Sequence, residues 1–507
     1  MAIVVLTLGL AVFITILFFC ISRVARKNNG RMAPGPTPLP IIGNLHQMGK
    51  LPHRGLQQLA EKYGPIMSLR LGSIPTLVVS SSEAAKLFLK THDLVFANRP
   101  VSAAGKYIFY DQKDIIFGSY GPFWRNMRKI CLLELLTPKR IESFRSVREE
   151  GAKEMIRSIW EESRQGKVQV DLSETVASFA SNSTWRILTG RTYGDRDLSG
   201  GGLGFKGMMD EISFLVGAFD VGELIPGLGW LDLLGLKRRM KKVHLLLDGL
   251  MEKIMDEHVE RRRSGLASGN DKDLVDVLLD LQHTMADMEI TRRDIKAIVF
   301  DMFSAGMETS TTTLEWAMSE IVQNPHVMKK LQEEIESIVG KDQVVTESNL
   351  IYMEYLHCVV KETLRLYPVA PLLIPHESTE DCTVKGPHHA YFIPAKTRLL
   401  VNAWAIGRDP NIWEDPLAFN PERFMGTKLD VIKDQECSMI PFGEGRRGCP
   451  GASLAIKTLE IVLAHLFHCF DWKTEGDVDM TEVFGATIPR KVHLFALPTW
   501  RLGVNVP

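Results

Sequence analysis

The chain has 507 residues, more than one hydrophobic core usually serves, so length alone favours two or more domains. Its 60 basic and 61 acidic residues nearly balance, which gives no support for a polyanionic partner such as nucleic acid. The seven cysteines are scattered and form no C-x-x-C pair, so the sequence favours neither a zinc framework nor a disulfide scaffold. Such thiols are typical of a reducing compartment like the cytosol.

The first segment of the chain is long and apolar. Ala2 to Ile21 contain about 20 residues interrupted by two threonines, enough for a helix to cross a bilayer. Four basic residues follow between Arg23 and Arg31, and the positive-inside tendency places that end in the cytosol. A cleaved signal peptide is the alternative, but its charge would precede a shorter apolar run. We therefore predict a transmembrane anchor over residues 1–22.

The next segment, APGPTPLPIIGN, is rich in proline. Its prolines at positions 34, 36, 38 and 40 fix φ and remove backbone donors, which is typical of a stiff extended spacer. We predict a basic and proline-rich hinge over residues 23–45 that sets the angle between the membrane and a globular catalytic domain over residues 46–507.

Within that body, helical patterns outnumber strand patterns. Residues 66–81 alternate and are rich in β-branched side chains, so they predict a short hairpin or sheet edge. Helical periodicity dominates from about residue 82 to residue 340. Short strands are predicted between about residues 383 and 401, and a last helix over about 452–467. The predicted fold class is mainly α with a smaller β-rich part.

The longest predicted helix carries a polar patch in its middle. It covers Thr291–Asn324, contains no proline, and at 1.5 Å per residue would be about 50 Å long. The patch consists of Ala305, Gly306, Glu308 and Thr309, followed by three further threonines at positions 311 to 313. The Thr309 hydroxyl can bond the carbonyl of Ala305 and open a kink or bulge. A solvated polar stripe is the plain alternative, but apolar residues flank the patch on both sides, so we favour a functional role.

Two further motifs are weak when taken singly. The segment KETLRLYP places Glu362 and Arg365 three residues apart on one helical face, and alone they would be a surface ion pair of little value. The later segment PERF supplies Arg423, whose planar fork suits a carboxylate network. The segment GPFWRNMRKI places Trp124 and Arg128 one turn apart, a spacing that packing and a solvated charge would also explain.

The most specific motif is the loop PFGEGRRGCPG, residues 441–451, which holds four glycines, two arginines and Cys449. By itself, this loop is also compatible with a buried cysteine that has no chemical function. Taken in order, the four motifs resemble the cytochrome P-450 haem-thiolate monooxygenases over nearly all of the chain. The segment Phe442 to Gly451 fits the family pattern F-x-x-G-x-R-x-C-x-G at every fixed position.

This resemblance implies a cytochrome P-450 fold with haem between the long helix and the cysteine loop. Cys449 would ligate the iron as a thiolate, which favours O–O cleavage. Thr309 and Glu308 would be catalytic and would deliver protons. The implied cofactor-binding residues are Trp124, Arg128, Ala305, Gly306, His376, Phe442, Arg447, Cys449 and Gly451. Glu362, Arg365 and Arg423 would form a structural network.

The resemblance also places a substrate pocket on the distal side of the haem. Its expected residues are Met302, Val369, Ala370, Leu372, Leu373, Phe484 and Ala486. Because these side chains are apolar, an unpaired charge there would be costly, and we expect a neutral hydrophobic substrate, terpenoid-like first and phenolic or alkaloid second. We also expect substrates to enter from the bilayer beside an access loop over residues 220–235.

Partners and location follow from the same resemblance, in particular to the large plant group that makes specialised metabolites. It implies haem b, O2, and electrons from an NADPH-dependent cytochrome P-450 reductase. It places the enzyme in the endoplasmic reticulum membrane, with a single span and its catalytic domain facing the cytosol. A basic face could receive the reductase through Arg125, Lys129, Lys139 and Arg140.

Two other functions stay open at this point. The same fold could serve a haem-thiolate isomerase or dehydratase that needs no reductase, or, more remotely, a non-catalytic membrane haem-binding protein. The chain also departs from the family in a turn over Pro387–Phe392 that is about four residues longer than usual. His388 and His389 in that turn fit a solvated hairpin tip better than a metal site.

Overall fold

The structure is a computed structural model. The predicted anchor over residues 1–22 and the basic start of the hinge lie outside its described residues, and so do residues 387–388 of the lengthened turn. The described residues are 32–198, 204–225, 232, 234–265, 272–284, 290–386 and 389–506.

Helices form most of the described chain, as the sequence predicts. The stretch from about residue 82 to residue 340 is helical apart from its connections and one two-residue strand. The helices are α1 Pro52–Tyr63, α2 Ser82–Lys86, α3 Ala103–Tyr107, α4 Pro122–Ile130, α5 Pro138–Ser143, α6 Arg145–Glu162, α7 Leu172–Thr189, α8 Phe205–Gly217, α9 Val221–Leu224, α10 Leu236–Arg263, α11 Leu274–Thr284, α12 Arg292–Gln323, α13 Pro325–Val339, α14 Glu354–Leu366, α15 Ala403–Ile406 and α16 Ala452–Cys469.

The strands form a smaller part of the fold. They are β1 Ile66–Leu71, β2 Ile74–Val79, β3 Val170–Asp171, β4 His376–Glu377, β5 Cys382–Lys385, β6 Ala390–Ile393, β7 Arg398–Val401, β8 Phe470–Lys473 and β9 Phe495–Trp500. The largest sheet has the order β1-β2-β7-β4, in which β2 and β7 are parallel and the other pairs antiparallel. The hairpin predicted over residues 66–81 is therefore confirmed, and β1 lies at a sheet edge. The strands β5 and β6 pair on either side of the lengthened turn.

The described part of the proline-rich segment lies against β1. The Ser68 amide donates to the carbonyl of Pro34 at 2.7 Å, and the Asn44 amide donates to that of Arg70 at 2.6 Å. A Cβ atom on Gly35 would lie 1.9 Å from the Ser68 carbonyl oxygen, so only glycine permits this approach. Because backbone bonds hold this segment in place, its direction is set by the sheet.

The central helix is α12, which is buried on nearly all sides. Thr291 caps its first turn, since its hydroxyl accepts from the Asp294 amide while Asp294 accepts from the Thr291 amide. Along its length α12 packs against α7, where the rings of Trp185 and Phe303 stack at 4.0 Å between centroids. A helix that is buried all round belongs to the core, and this position explains why α12 can present residues to the interior of the molecule.

The backbone of α12 remains α-helical from Arg292 to Gln323. The expected bond is present, because the Thr309 hydroxyl donates to the carbonyl of Ala305 at 2.7 Å. The bulge that this bond was expected to open is not formed. A carbonyl oxygen has two lone pairs, so it can accept the hydroxyl without giving up its place in the helix.

Among the described residues, one helix is long and apolar enough to cross a membrane, α16. Most of it is buried within the protein, where it packs against α6, α12 and α14. It therefore serves as a core helix. Its last turns extend two residues beyond the predicted end at residue 467.

Glu362, Arg365 and Arg423 form a buried network. Arg365 meets Glu362 with two bonds of 2.7 Å, and the Arg423 Nε donates to the same carboxylate at 3.1 Å. The side chains of Glu362 and Arg365 are fully buried. The surface ion pair that this motif would be by itself is thus a core interaction here.

The network also holds the backbone that leads to the cysteine loop. The remaining donors of Arg365 bond the carbonyls of Gly407, Pro416 and Ala418 at 2.6 to 3.0 Å. Arg423 bonds the carbonyls of Glu414 and Asp415. Since all five N–H groups of Arg365 have partners, the buried charge is compensated and the irregular chain between α15 and the loop has a defined path.

We expect Glu362→Gln to lower the free energy of unfolding by about 3 kcal/mol or more, because it leaves two buried guanidinium groups without a counter-charge. Chemical unfolding followed by tryptophan fluorescence measures this change. The matched control is Glu333→Gln in α13, whose exposed partner Lys329 lies 3.7 Å away. The control should change stability by about 0.5 kcal/mol or less. Equal effects of the two substitutions would contradict the structural role of Glu362.

Candidate active site

The cysteine loop is a closed, glycine-broken turn directly before α16. The Cys449 amide donates to the carbonyl of Phe442 at 2.8 Å, which closes the loop. Gly443 and Gly445 have φ angles of +69° and +70°, a region that favours glycine. A Cβ atom on Gly445 would lie 2.3 Å from the carbonyl oxygen of Leu89. These glycines therefore allow both the turn and its close contact with the chain after α2.

The backbone polarises the sulfur of Cys449. Burial raises the pKa of the Cys449 thiol, while amide bonds from Gly451 and Ala452 and the charge of Arg128 lower it. These amides belong to the start of α16, where the helix dipole favours a negative charge. Cys449 keeps an exposed surface although dense protein surrounds it, so the thiol faces an internal space rather than the outside. The site can thus hold a thiolate and present it inward.

Arg447 projects from the same loop into the interior. Its Nε and Nη2 donate to the carbonyls of Ala97 and Gly118, both at 2.6 Å, and its guanidinium carbon lies 3.9 Å from the centroid of the Trp124 ring. The third nitrogen, Nη1, is buried without a hydrogen-bond partner. Burial and the charge of Arg128 lower the pKa of Arg447 to about 9. This unpartnered donor requires an acceptor that the chain itself does not supply.

Sequence reasoning missed a second buried cation, Arg99. Its Nε donates to the carbonyl of Ile116 at 3.1 Å, and its Nη1 to those of Ile374 and Pro375 at 2.5 and 2.9 Å. Burial and the charge of Arg447 lower its pKa well below the usual range. An arginine inside the apolar segment VFANRPV was a signal, but no spacing tied it to the known motifs.

Arg128 and His376 complete this cluster. Arg128 donates through Nη2 to the carbonyl of Gly448 at 2.5 Å. The ring of His376 contacts the carbonyl of Phe96 through Nδ1 at 2.8 Å, and burial followed by the charge of Arg99 lowers its pKa well below the usual range. The expected part of Trp124 in holding the cofactor stays a prediction, and in the structure its Nε1–H donates to the carbonyl of Ile115 at 3.0 Å. Its ring face instead supports the guanidinium groups.

The cluster fits an anionic group. Among the described residues, none of Arg99, Arg128 and Arg447 forms a salt bridge. The acid that offsets Arg99 and Arg447 is Asp114, and burial raises its pKa, so it is a weak counter-charge. Buried cations need a counter-charge to be stable. Two carboxylates near these arginines, together with an iron facing Cys449, would satisfy this need, as a haem with its propionates does.

On α12 the polar patch turns toward two other elements. The Glu308 carboxylate accepts from the Thr487 hydroxyl at 2.8 Å, and Thr487 contacts the Ser213 hydroxyl at 2.6 Å. Burial raises the pKa of Glu308 to about 7, while the bond from Thr487 opposes this shift. Sequence reasoning did not connect Thr487 with Ser213, because the two residues lie 274 positions apart and only folding brings α8 and the C-terminal loop together.

Gly306 has a packing role that the sequence did not reveal. A Cβ atom at this position would lie 3.3 Å from the side chain of Thr184 on α7. The absence of a side chain therefore lets α12 approach α7 closely at the level of Ala305. This contact sets the distance between α12 and α7 two residues before Glu308.

Five of the seven expected pocket residues line a cavity of about 180 Å³. These are Ala370, Leu372, Leu373, Phe484 and Ala486. The other two are not among its lining residues: Met302 packs against the main core, and buried Val369 uses its carbonyl to accept from the Ile488 amide at 3.0 Å.

The cavity also has a charged end that sequence reasoning missed. It is lined by Arg99, Asp220, Glu223 and Arg398 as well as by apolar residues. Glu223 lies 3.8 Å from Arg398 and accepts from the Ala103 amide. Asp220 and Glu223 belong to the predicted access loop over residues 220–235, of which residues 226–231 and 233 lie outside the described residues. The sequence could not show this end, because α9 and β7 are far apart in the chain.

We expect Glu308→Gln to change how stability depends on pH. The pKa of Glu308 rises from its ordinary value of 4.5 to about 7 in the folded protein. The folded state therefore binds more protons than the unfolded state between these values, and wild-type stability falls as pH rises through this window. Glutamine does not titrate, so the variant should gain about 3 kcal/mol over the wild type by pH 8 relative to its difference at pH 4. Chemical unfolding at several pH values measures this; curves that stay parallel to those of the wild type would contradict the assignment.

Comparisons with known proteins agree with this geometry. Residues 33–494 match the sequence model of the family described as Cytochrome P450. Cytochrome P450 750A1 of Pinus taeda is 51% identical over 503 residues, which cover 96% of this chain and 95% of that protein. Desmethyl-deoxy-podophyllotoxin synthase of Sinopodophyllum hexandrum is 42% identical over 503 residues, with 97% and 96% covered.

A solved structure of a zebra fish cytochrome P450 with progesterone has a TM-score of 0.73 at 27% identity, and covers 89% of this chain and 99% of that chain. The predicted fold is thereby confirmed, and so is the similarity to plant members of the family. Family members bind haem through a cysteine thiolate and use O2 with electrons derived from NADPH. The chain belongs to the cytochrome P450 family of haem-thiolate monooxygenases.

Proposed function

We propose that this monooxygenase inserts one oxygen atom from O2 into a neutral hydrophobic small molecule. A terpenoid-like substrate is the first expectation, and a phenolic or alkaloid scaffold is the second. Electrons would come from an NADPH-dependent cytochrome P-450 reductase. The observation that carries the proposal is the pairing of two sites. Cys449, backed by helix amides, faces inward, and a mainly apolar cavity lies beside the buried arginine cluster.

The residues that would hold haem b come from four parts of the chain. Cys449 would ligate the iron, and Arg99, Arg128 and Arg447 would bond the propionates. His376 is fully enclosed beside Arg99 and would add a neutral ring to the same region. When bound, the haem supplies an iron that activates O2, and the thiolate strengthens this chemistry by donating electron density.

Glu308 and Thr309 would supply protons to the reacting oxygen. A carboxyl group with a pKa of about 7 is protonated and ionised in similar amounts near neutral pH, so Glu308 can both give and regain a proton. The neighbouring Thr309 hydroxyl, one residue further along α12, is held by the Ala305 carbonyl. A fixed hydroxyl at the next helical position after such an acid would pass protons on to the reacting oxygen.

The substrate class follows from the cavity. Most of its wall is apolar. Of the cations among its lining residues, Arg99 would be taken up by a haem propionate, and Arg398 lies 3.8 Å from Glu223. A substrate carboxylate would have to compete with these interactions, whereas apolar surface gains roughly 25 cal/mol per Å² on burial. The relative named for desmethyl-deoxy-podophyllotoxin and the fish protein bound to progesterone support a small organic substrate.

The membrane and the reductase complete the proposal. Residues 1–22 would anchor the chain in the endoplasmic reticulum, residues 23–45 would be the hinge, and the catalytic domain would face the cytosol. The reductase would dock on the basic face, where Arg125, Lys129 and Lys139 are exposed and Arg140 is half-buried. Arg125 and Lys129 share α4 with Arg128, which bonds the cysteine loop, so this face lies close to the proposed iron ligand.

We expect Cys449→His to abolish the thiolate-type Soret band of the reduced carbon monoxide complex, because that band requires a sulfur ligand. The variant is reconstituted with haem, and absorption spectra of the dithionite-reduced protein under carbon monoxide are compared with those of the wild type. Cys358→Ser, a substitution at another buried cysteine, is the control and should keep the band. A band that survives in Cys449→His would show that the ligand assignment is wrong.

The substrate class is tested by spin-state titration of the ferric protein. Neutral terpenoids and neutral phenolics should give a high-spin shift, and charged amino acids should give none, because an unpaired charge is costly in an apolar cavity. Turnover with reductase in microsomes, read by a mass increase of one oxygen, identifies the product. Tight high-spin binding confined to the charged set would overturn the substrate proposal, and product formed without NADPH would favour the isomerase or dehydratase.

A further inference from the structure

Three polar side chains from three separate elements meet inside the protein. They are Glu308 on α12, Thr487 in the loop before β9, and Ser213 on α8. The Thr487 hydroxyl donates to Glu308 Oε1 at 2.8 Å, and Ser213 Oγ lies 2.6 Å from Thr487 Oγ1. Ser213 and Thr487 are buried. The three groups thus form a continuous row of hydrogen bonds, the hydrogen-bond relay, which ends at Glu308, the acid of the active site.

The direction of these bonds depends on whether Glu308 carries a proton. An ionised carboxylate only accepts, so Thr487 must donate to it, and the Ser213 hydroxyl must then donate to Thr487. The Thr487 amide donates to Ser213 Oγ at 3.3 Å, which leaves the hydroxyl hydrogen of Ser213 free for Thr487. When Glu308 is protonated it can donate to Thr487, and both hydroxyl groups can turn around. The hydrogen bonds of the relay can therefore reverse their donor-to-acceptor direction while the heavy atoms stay in place.

Two glycines make the close contact between α8 and this loop possible. A Cβ atom on Gly485 would lie 2.8 Å from Ser213 Oγ, and one on Gly217 would lie 2.6 Å from the carbonyl carbon of Gly485. The Ala486 amide also donates to the carbonyl of Ser213 at 2.9 Å. Backbone contact therefore fixes the spacing of the two hydroxyl groups.

The outer end of the hydrogen-bond relay lies on α8. Asp210 precedes Ser213 by three positions, so it occupies the same face of the helix, and about half of its side chain is exposed. Lys206 lies 3.4 Å from the Asp210 carboxylate. A water molecule between Asp210 and Ser213 would join the hydrogen-bond relay to solvent.

The charges around Glu308 come from the elements that pack against it. Asp210 on α8 and Glu315 on α12 raise its pKa, and Lys206 on α8 lowers it. His493 and Arg490, near the C-terminus, act on Glu315 rather than on Glu308 directly. Thr487 is the hydrogen-bond donor to the carboxylate, so its removal should favour the protonated form.

We propose that Ser213 and Thr487 are positioning residues that carry protons from the surface of α8 to Glu308. The inference rests on the proposed function, since it assigns the route by which the acid of that site is reloaded. When Glu308 gives up its proton toward Thr309, the Thr487 hydroxyl passes a proton to Glu308, Ser213 passes one to Thr487, and water at Asp210 passes one to Ser213. One proton leaves solvent and one reaches the active site, with no change of oxidation state.

The first test needs no turnover. Infrared difference spectra of the ferric protein without substrate are recorded over a range of pH, and the protonated carboxyl band that Glu308→Gln lacks is assigned to Glu308. Thr487→Val should move the midpoint of this band to higher pH, because the carboxylate loses its hydroxyl donor. Thr487→Ser should restore the wild-type midpoint. An unchanged midpoint in Thr487→Val would overturn the proposal.

The second test measures the use of the protons. With reductase, NADPH and substrate, Thr487→Val and Ser213→Ala should each divert about tenfold more electrons to hydrogen peroxide than the wild type does, in line with the loss of a proton donor. The excess should grow as pH rises. Thr487→Ser should restore coupling. Thr189→Val is the matched control, because this buried hydroxyl donates to the carbonyl of Trp185, and it should behave like the wild type.

The two tests separate the possible failures. A wild-type protein that forms no oxygenated product contradicts the proposed function, while the infrared midpoint still decides whether Thr487 acts on Glu308. A shifted midpoint with unchanged coupling in both Thr487→Val and Ser213→Ala would overturn the proton route and leave a structural tie. Retained haem absorption and unfolding midpoints show that each variant is folded.

Discussion

The buried contact between Glu362 and Arg365 is the interaction on which the rest of the structure depends. It stabilises one end of α14, and the remaining donors of Arg365 bond the carbonyls of Gly407, Pro416 and Ala418. Irregular chain has no ladder of its own to satisfy its backbone groups, so buried side-chain donors must do so. The path of that chain in turn determines where the cysteine loop begins. A carboxylate outside the cysteine loop thus supports the position of Cys449.

Around Cys449 the chain arranges charges that it does not neutralise by itself. The amides at the start of α16 and the nearby Arg128 favour a thiolate, and Arg447 keeps one buried nitrogen without a partner. Buried groups of this kind are unfavourable unless a ligand completes them. An iron and two carboxylates would complete them together, which is why the cofactor of the family and the geometry of this chain support one another. The charged groups around Cys449 therefore suit the binding of haem, and they do not by themselves stabilise the folded chain.

The distal side combines two needs that oppose each other. The cavity is mostly apolar, which suits the hydrophobic substrate proposed above, while oxygen chemistry requires protons. Glu308 would satisfy both conditions, because burial raises its pKa to about 7 and the Thr487 hydroxyl donates to its carboxylate. Gly306 and Gly485 let the backbone of α12 approach α7 and that of the C-terminal loop approach α8.

Local chemistry explains what could be read from the sequence. The spacing of glycines and arginines around Cys449, the Glu362–Arg365 motif and the uninterrupted period of α12 are all properties of short segments, so the sequence alone determined the mainly helical fold and the haem-thiolate site. Tertiary structure decided the rest. Arg99 joins the arginine cluster, Trp124 uses its indole N–H on a carbonyl, and α12 stays free of a bulge, because each outcome depends on neighbours from other elements. Ser213 and Thr487 are the clearest case, since two ordinary hydroxyl residues suit the proposed role only because folding places them 2.6 Å apart beside Glu308.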